Sequence, residues 1–108
     1  MTVHLLKSSI KAQNSIQITG SKSESNRLLL LQALFPSIKI DNISNSDDSQ
    51  LMQKALSSNE EVIDIHHAGT AMRFLTAYFS IQMGRTTILT GSSRMKERPI
   101  SILVNALR

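Results

Sequence analysis

The stretch VIDIHHAGTAMRFLTAYFSIQMGRTTILT, residues 62–90, carries the alternation on which the fold turns. Val62, Ile63 and Ile65 read as a short strand that ends in His66 and His67. Ala68 and Gly69 then lead into a helix from Thr70 to about Met83, whose apolar residues lie almost all round. So little polar face predicts a central helix, with Gly84 as its C-terminal stop. Thr86 to Thr90 follow as a β-branched strand, and Gly91 turns the chain.

The same rhythm extends upstream. Val3 to Leu6 and Ser15 to Thr19 read as a hairpin of short strands turning at Gln13 and Asn14. Ser21 with Glu24 three positions later forms a capping box, so a helix starts there and runs through Leu28 to Leu34. Pro36 and Ser37 punctuate the chain, and Ile38, Ile40 and Ile43 mark a strand. A second helix begins after the cap Ser46. Asp47 and Asp48 complement its dipole, and Leu51, Met52, Ala55 and Leu56 form its buried stripe. Ser57 to Glu61 is a polar turn. Downstream, Pro99 stands at the first position of a last helix, with Ile100, Leu103, Val104 and Leu107 on one face.

Strand, helix, strand, helix, strand predicts a mixed α/β (α+β) fold, a sheet with helices on one or both faces. The last helix reaches Arg108 with no cap and no following strand, which predicts a fragment of a longer chain. No internal repeat and no low-complexity linker interrupts the pattern.

Size and composition narrow the function. The 108 residues, 41% hydrophobic, suit one small unit, and no apolar run approaches the ~18 residues of a membrane span. Met1 to Ile10 lacks the apolar core and cleavage site of a secretion signal, so the cytoplasm is the default location. Twelve Lys and Arg against eight Asp and Glu give a net charge of +4, which favours anionic partners. Nucleic acid is the weaker choice among them. The aromatics are Phe35, Phe74, Tyr78 and Phe79, too few and too core-like for a base-stacking platform. Six cations, Lys22, Arg27, Arg73, Arg94, Lys96 and Arg98, instead fall at helix starts or in loops beside them. No metal is expected, because His66 and His67 point to opposite sides and no carboxylate cluster completes a shell. Neither GxxxxGK[ST] nor GxGxxG occurs, and no cofactor is expected.

Three segments could bind anions. GSKSESNR, residues 20–27, puts Lys22, Ser21, Ser23 and Arg27 where they converge with the free N–H groups of a helix start. The same residues would also suit an ordinary capped surface helix. HAGTAMR, residues 67–73, feeds a strand into a helix through Gly69, where a missing Cβ lets a ligand touch the main chain. Thr70 there can cap the helix or offer its hydroxyl. RMKERP, residues 94–99, holds three cations before a proline, with Glu97 available to pair with one of them.

Together, in this order and at these intervals, the three segments resemble the N-terminal part of the 5-enolpyruvylshikimate-3-phosphate synthase (3-phosphoshikimate 1-carboxyvinyltransferase) family. The likeness runs from about Thr19 to Arg108 and includes NSDD at 45–48 and LTG at 89–91. It implies a two-domain transferase of the shikimate pathway, built from βαβαββ units, of which residues 20–108 are the first part of the N-terminal substrate-binding domain. Residues 1–19 would be opening strands belonging to the second domain.

By the same resemblance Lys22, Ser23 and Arg27 bind shikimate 3-phosphate, and Lys22, Gly69 and Arg98 bind phosphoenolpyruvate. His67, Thr70 and Arg73 form a second tier, and Arg94 and Lys96 shape the local field. The acid–base groups of the family come mainly from the later domain, so no catalytic residue is assigned here and the fragment alone is expected to be inactive. The full enzyme is expected to be a monomer, and the fragment could self-associate through exposed strand edges. Two departures stand inside the motifs: His67 where asparagine is usual, and Phe74 where proline often follows the arginine. The interval from Asp48 to His67 is also short for the family. A sister transferase acting on a nucleotide sugar usually carries a reactive loop cysteine, and this chain has no cysteine.

Overall fold

A computed structural model describes residues 1–108. Its elements, in chain order, are α1 (Lys22–Leu34), α2 (Asp47–Ser57), β1 (Val62–Asp64), α3 (Gly69–Ser80), β2 (Ile88–Thr90), α4 (Ser93–Lys96) and α5 (Ser101–Leu107). The expected mixture of helices with a small sheet is present.

β1 and β2 run parallel, with Val62 opposite Ile88, Ile63 opposite Leu89 and Asp64 opposite Thr90. Parallel strands cannot be joined by a tight turn, so α3 serves as the crossover between them. Along β1 only Ile63 points into the core, while Val62 and Asp64 are exposed. Pairing continues past both strands, since the amide of Ile65 donates to the Thr90 carbonyl (3.0 Å) and that of Ser92 to the His66 carbonyl (2.9 Å). The extended ladder sets the turn after β1 beside the turn after β2.

The core is built where α1, α2 and α3 meet the inner face of the sheet. Leu29, Met52, Ala55, Ile63, Ile65, Ala68, Ala71, Leu75 and Phe79 form one buried cluster. Three of these are alanines, which let the helix backbones approach closely while Met52, Leu75 and Phe79 fill the volume between them. α3 contacts α1, α2 and α5, the central position that its apolar circumference predicts.

A buried polar chain fixes α1 to α2. Ser46 Oγ donates to Ser49 Oγ (3.1 Å), which donates to Asn26 Oδ1 (2.9 Å), and Ser25 Oγ accepts from the Ser44 amide (2.9 Å). Ser25, Asn26, Ser44 and Ser49 are all buried. Buried polar groups need partners, so this set specifies how the two helix starts sit together.

Several sequence expectations are corrected. The hairpin over Val3–Leu6 and Ser15–Thr19 does not form; a turn at Ala12 and Gln13 separates two extended, exposed stretches. A lone two-stranded hairpin is marginal in water, and no element covers the face bearing Ile16 and Ile18. The radius of gyration is 17.7 Å, against about 13 Å for a compact chain of this size, because this arm extends from the body. Residues 38–43 are likewise not a strand, since no neighbouring strand pairs with them; Asn42 instead accepts from the Gly20 amide at 2.9 Å.

At the other end of the chain the differences lie in helix boundaries. α3 stops at Ser80 rather than Met83, as the amides of Ile81 and Gln82 turn back to the carbonyls of Tyr78 and Phe79 and tighten the last turn. Gly84 then takes φ +70 in the turn that follows. Pro99 lies outside α5, which begins at Ser101 after the N-cap Ile100, whose φ of −133 is not helical; the Pro99 carbonyl accepts from Arg73. The basic loop at 94–99 contains the extra helical turn α4, capped by Ser92.

Candidate anion-binding site

At the start of α1, Ser21 Oγ accepts from the Glu24 amide at 3.4 Å, so the predicted N-cap is occupied by its own helix. The eight residues from Gly20 to Arg27 then divide by face. Ser25 and Asn26 turn inward to the polar chain described above, while Lys22, Ser23 and Arg27 are exposed. Arg27 Nη1 donates to the Ser23 carbonyl one turn back, at 2.8 Å. Its guanidinium lies over the ring of Phe74, 5.7 Å from the centroid.

The second segment is shaped by the turn after β1. Asp64 Oδ1 accepts from the His66 amide at 2.8 Å, and His66 takes φ 48 to reverse the chain. α3 begins at once, with Ala68 as N-cap and no side chain satisfying its first amides. Thr70 is therefore not the cap; its side chain is exposed on the first turn. Uncapped amides at the start of a twelve-residue helix present partial positive charge to whatever fills the space before them.

What fills it is the third segment. Met95 is buried at 4% exposure and anchors α4 to the body, and the Arg98 amide donates back to the Met95 carbonyl at 3.1 Å. The Arg98 guanidinium is thereby laid against Gly69, where a Cβ would stand 2.7 Å from Cζ. Gly91 permits a similar closeness, since a Cβ there would meet Met95 Cγ at 2.9 Å. Arg73 joins the two segments: Nη1 donates to the Gly69 carbonyl (3.3 Å) and Nη2 to the Pro99 carbonyl (3.0 Å).

A cleft of about 430 Å³ opens here, lined by His67, Ser92, Arg94, Met95 and Arg98. A neighbouring cleft of about 430 Å³ shares His67 and adds Asp47, Gln50, Leu51, Lys54 and His66. The structure thus brings together His67, Gly69, Thr70, Arg73 and Arg98, and it holds Lys22, Ser23 and Arg27 on α1. Neither cleft is lined by the α1 residues; the link between the groups is Arg27 on Phe74, one residue after Arg73.

The charges are uncompensated. The one ion pair within 4.0 Å joins His66 Nδ1 to Asp64 Oδ1 at 3.8 Å, so none of the six cations at these helix starts is neutralised by a carboxylate. Glu97, available to pair with one of its neighbours, makes no ion pair. Three features escaped sequence reasoning. Ser92 lines the cleft and caps α4, which its place three residues before Met95 could have signalled. The carbonyl partners of Arg73 are invisible in a sequence, where only its charge can be read. Phe74 beneath Arg27 left no local signal, because the two are 47 positions apart.

The sequence model of the family described as EPSP synthase (3-phosphoshikimate 1-carboxyvinyltransferase) matches residues 53–108. A 3-phosphoshikimate 1-carboxyvinyltransferase of Bacteroides fragilis is 53% identical over 106 residues, covering 97% of this chain and 26% of that protein. One of Proteus mirabilis is 39% identical over 126 positions, covering 92% of this chain and 29% of the relative. A pentafunctional AROM polypeptide of Clavispora lusitaniae is 35% identical over 128 positions, 89% of this chain and 8% of that polypeptide. The chain therefore spans about a quarter of the length of the single-function relatives. The Proteus alignment is longer than the 108 residues here, so that relative carries residues this chain lacks. No solved structure matches. No helix is long and apolar enough to cross a membrane. The family match across more than half of these residues, with the identity to its members over nearly all of them, places the chain in the EPSP synthase (3-phosphoshikimate 1-carboxyvinyltransferase) family.

Proposed function

We propose that this chain forms one wall of the site in which an enolpyruvyl group passes from phosphoenolpyruvate to the 5-hydroxyl of shikimate 3-phosphate, giving 5-enolpyruvylshikimate 3-phosphate and phosphate. The observation that carries the reading is the set of cations around the starts of α1 and α3, none of which has a carboxylate partner. Both substrates are polyanions, and unpaired cations beside uncapped helix amides are what such ligands require.

In this reading Lys22, Ser23 and Arg27 hold the phosphate of shikimate 3-phosphate, and Lys22, Gly69 and Arg98 hold phosphoenolpyruvate. The fork of Arg98 suits a carboxylate or phosphate through two parallel hydrogen bonds. The Gly69 backbone admits that group without a Cβ in the way. His67 lines the cleft as a further donor, Thr70 stands exposed on the first turn of α3, and Arg73, with two of its donors on carbonyls, holds Arg98 in place.

The transfer itself needs protons moved in balance. An acid protonates the methylene carbon as the 5-hydroxyl oxygen attacks the neighbouring carbon and a base takes the hydroxyl proton. The tetrahedral adduct then expels phosphate, and its methyl group gives up a proton to restore the double bond. Residues of this chain supply positioning and charge stabilisation for these steps. The parallel β1–α3–β2 crossover is read as part of a βαβαββ unit, and residues 1–19, of which only Ile18 and Thr19 bond to the body, as strands of a second domain. Calorimetric titration with shikimate 3-phosphate and then phosphoenolpyruvate tests the assignment. Arg27→Ala should weaken the first ligand and Arg98→Ala the second; two variants that both bind as the parent does overturn it.

A further inference from the structure

Arg27 is exposed, yet its guanidinium is fixed at both ends. Nη1 donates to the Ser23 carbonyl at 2.8 Å, and Cζ lies over the Phe74 ring, 5.7 Å from its centroid. Phe74 is itself half-buried and packed on the core cluster, so the ring offers a rigid floor. An arginine over an aromatic face is attracted by the ring quadrupole. The contact differs from a hydrogen bond in one important way. It consumes no N–H donor, so Arg27 commits only Nη1, to the Ser23 carbonyl, whereas Arg73, beside Phe74 on α3, spends two donors on carbonyls. Arg27 can therefore be held still and keep donors for an anion.

We propose that Phe74 is a positioning residue for the phosphate site, holding Arg27 above the start of α1 in the orientation that receives shikimate 3-phosphate. The inference rests on the function proposed above. A long, exposed arginine otherwise loses its rotamer freedom when the ligand arrives, and a ring that orders it beforehand removes part of that loss.

The test compares the parent chain with Phe74→Leu, Phe74→Tyr and Arg27→Ala, using shikimate 3-phosphate and phosphoenolpyruvate as probes. NMR of the unliganded chain should show Arg27 Hδ protons displaced upfield by the ring, an effect kept in F74Y and lost in F74L. Shikimate 3-phosphate affinity should fall about two- to fivefold in F74L, the equivalent of the ~0.5–1 kcal/mol of an exposed cation–π contact, and return in F74Y. Phosphoenolpyruvate affinity should not change. Unshifted Arg27 protons in the parent, or parent-like shikimate 3-phosphate affinity in F74L alongside a weakened R27A, overturn the inference alone. Parent-like binding by R27A overturns the proposed phosphate site, and the role of Phe74 falls with it.

Discussion

The guanidinium of Arg98 occupies the space that a side chain on residue 69 would need, with Cζ 2.7 Å from the position of a Cβ built on Gly69. Glycine is required here by the approach of another residue, since no positive φ is recorded for it. The helix start and the cation are therefore one unit. Whatever the α3 amides attract also meets Arg98.

Gly69→Ala should push Arg98 aside. The obstacle is the far end of a flexible side chain, so the change is absorbed by rotation of Arg98, and stability should stay within ~0.5 kcal/mol of the parent. Binding should respond more. Loss of a charge-assisted contact of ~1.5–3 kcal/mol predicts phosphoenolpyruvate affinity lower by about tenfold or more, with shikimate 3-phosphate little affected. Titrations with each ligand and a thermal melt check this; equal losses for both ligands would contradict it.

Arg73→Lys should loosen the same unit from behind. Lysine keeps the charge but cannot span the Gly69 and Pro99 carbonyls with one rigid fork. The expected result is a loss of about 1–2 kcal/mol in denaturant unfolding, together with weaker phosphoenolpyruvate binding as Arg98 loses its setting. Weakened binding with unchanged stability would instead make Arg73 a ligand.

How far the sequence discloses this arrangement depends on the range over which each feature is determined. The starts of α1 and α2 follow from Ser21 and Ser46, because a cap is settled within four residues. The β1–α3–β2 alternation is equally legible, since β-branched runs and a continuous apolar helix are local patterns. Boundaries set at a distance were misread. Pro99 stays outside α5, and its carbonyl is held by Arg73, 26 positions away. Ile38, Ile40 and Ile43 read as a strand by their β-branched side chains but have no neighbouring strand to pair with. The cations of the site stand out by type and spacing, while the Phe74 ring beneath Arg27, distant from it in the chain, is recognisable only in three dimensions.

Ser49→Ala should be among the more damaging small substitutions. Ser49 is fully buried, accepts from Ser46 Oγ and donates to Asn26 Oδ1. Asn26 Nδ2 already has no partner within the chain, so removing the hydroxyl leaves the whole amide unpaired in the interior. A loss of ~1–3 kcal/mol is expected from equilibrium unfolding. Asn26→Ala in the Ser49→Ala background should then cost less than in the parent, because the partner is already gone. Additive losses would show that the two side chains do not act together.

Removing residues 1–17 should leave the folded body intact. That arm buries no side chain, with Leu5 at 90% and Ile10 at 96% exposure. The contacts that tie the chain down begin at Ile18, whose carbonyl accepts from Asn42, and Thr19, which donates to Asn45. Unfolding free energy should therefore change by less than ~0.5 kcal/mol. Solution behaviour should change more, because Leu5, Leu6, Ile10 and Ile16 are uncovered apolar side chains on the two extended stretches of the arm. Exposed extended backbone with such side chains favours pairing with another copy, so light scattering should show the mass of the 108-residue chain rising with concentration. The shortened chain should stay monomeric across the same range. A parent chain that is monomeric throughout would rule out association through the arm, and a shortened chain that unfolds more readily would show that the arm packs on the body after all.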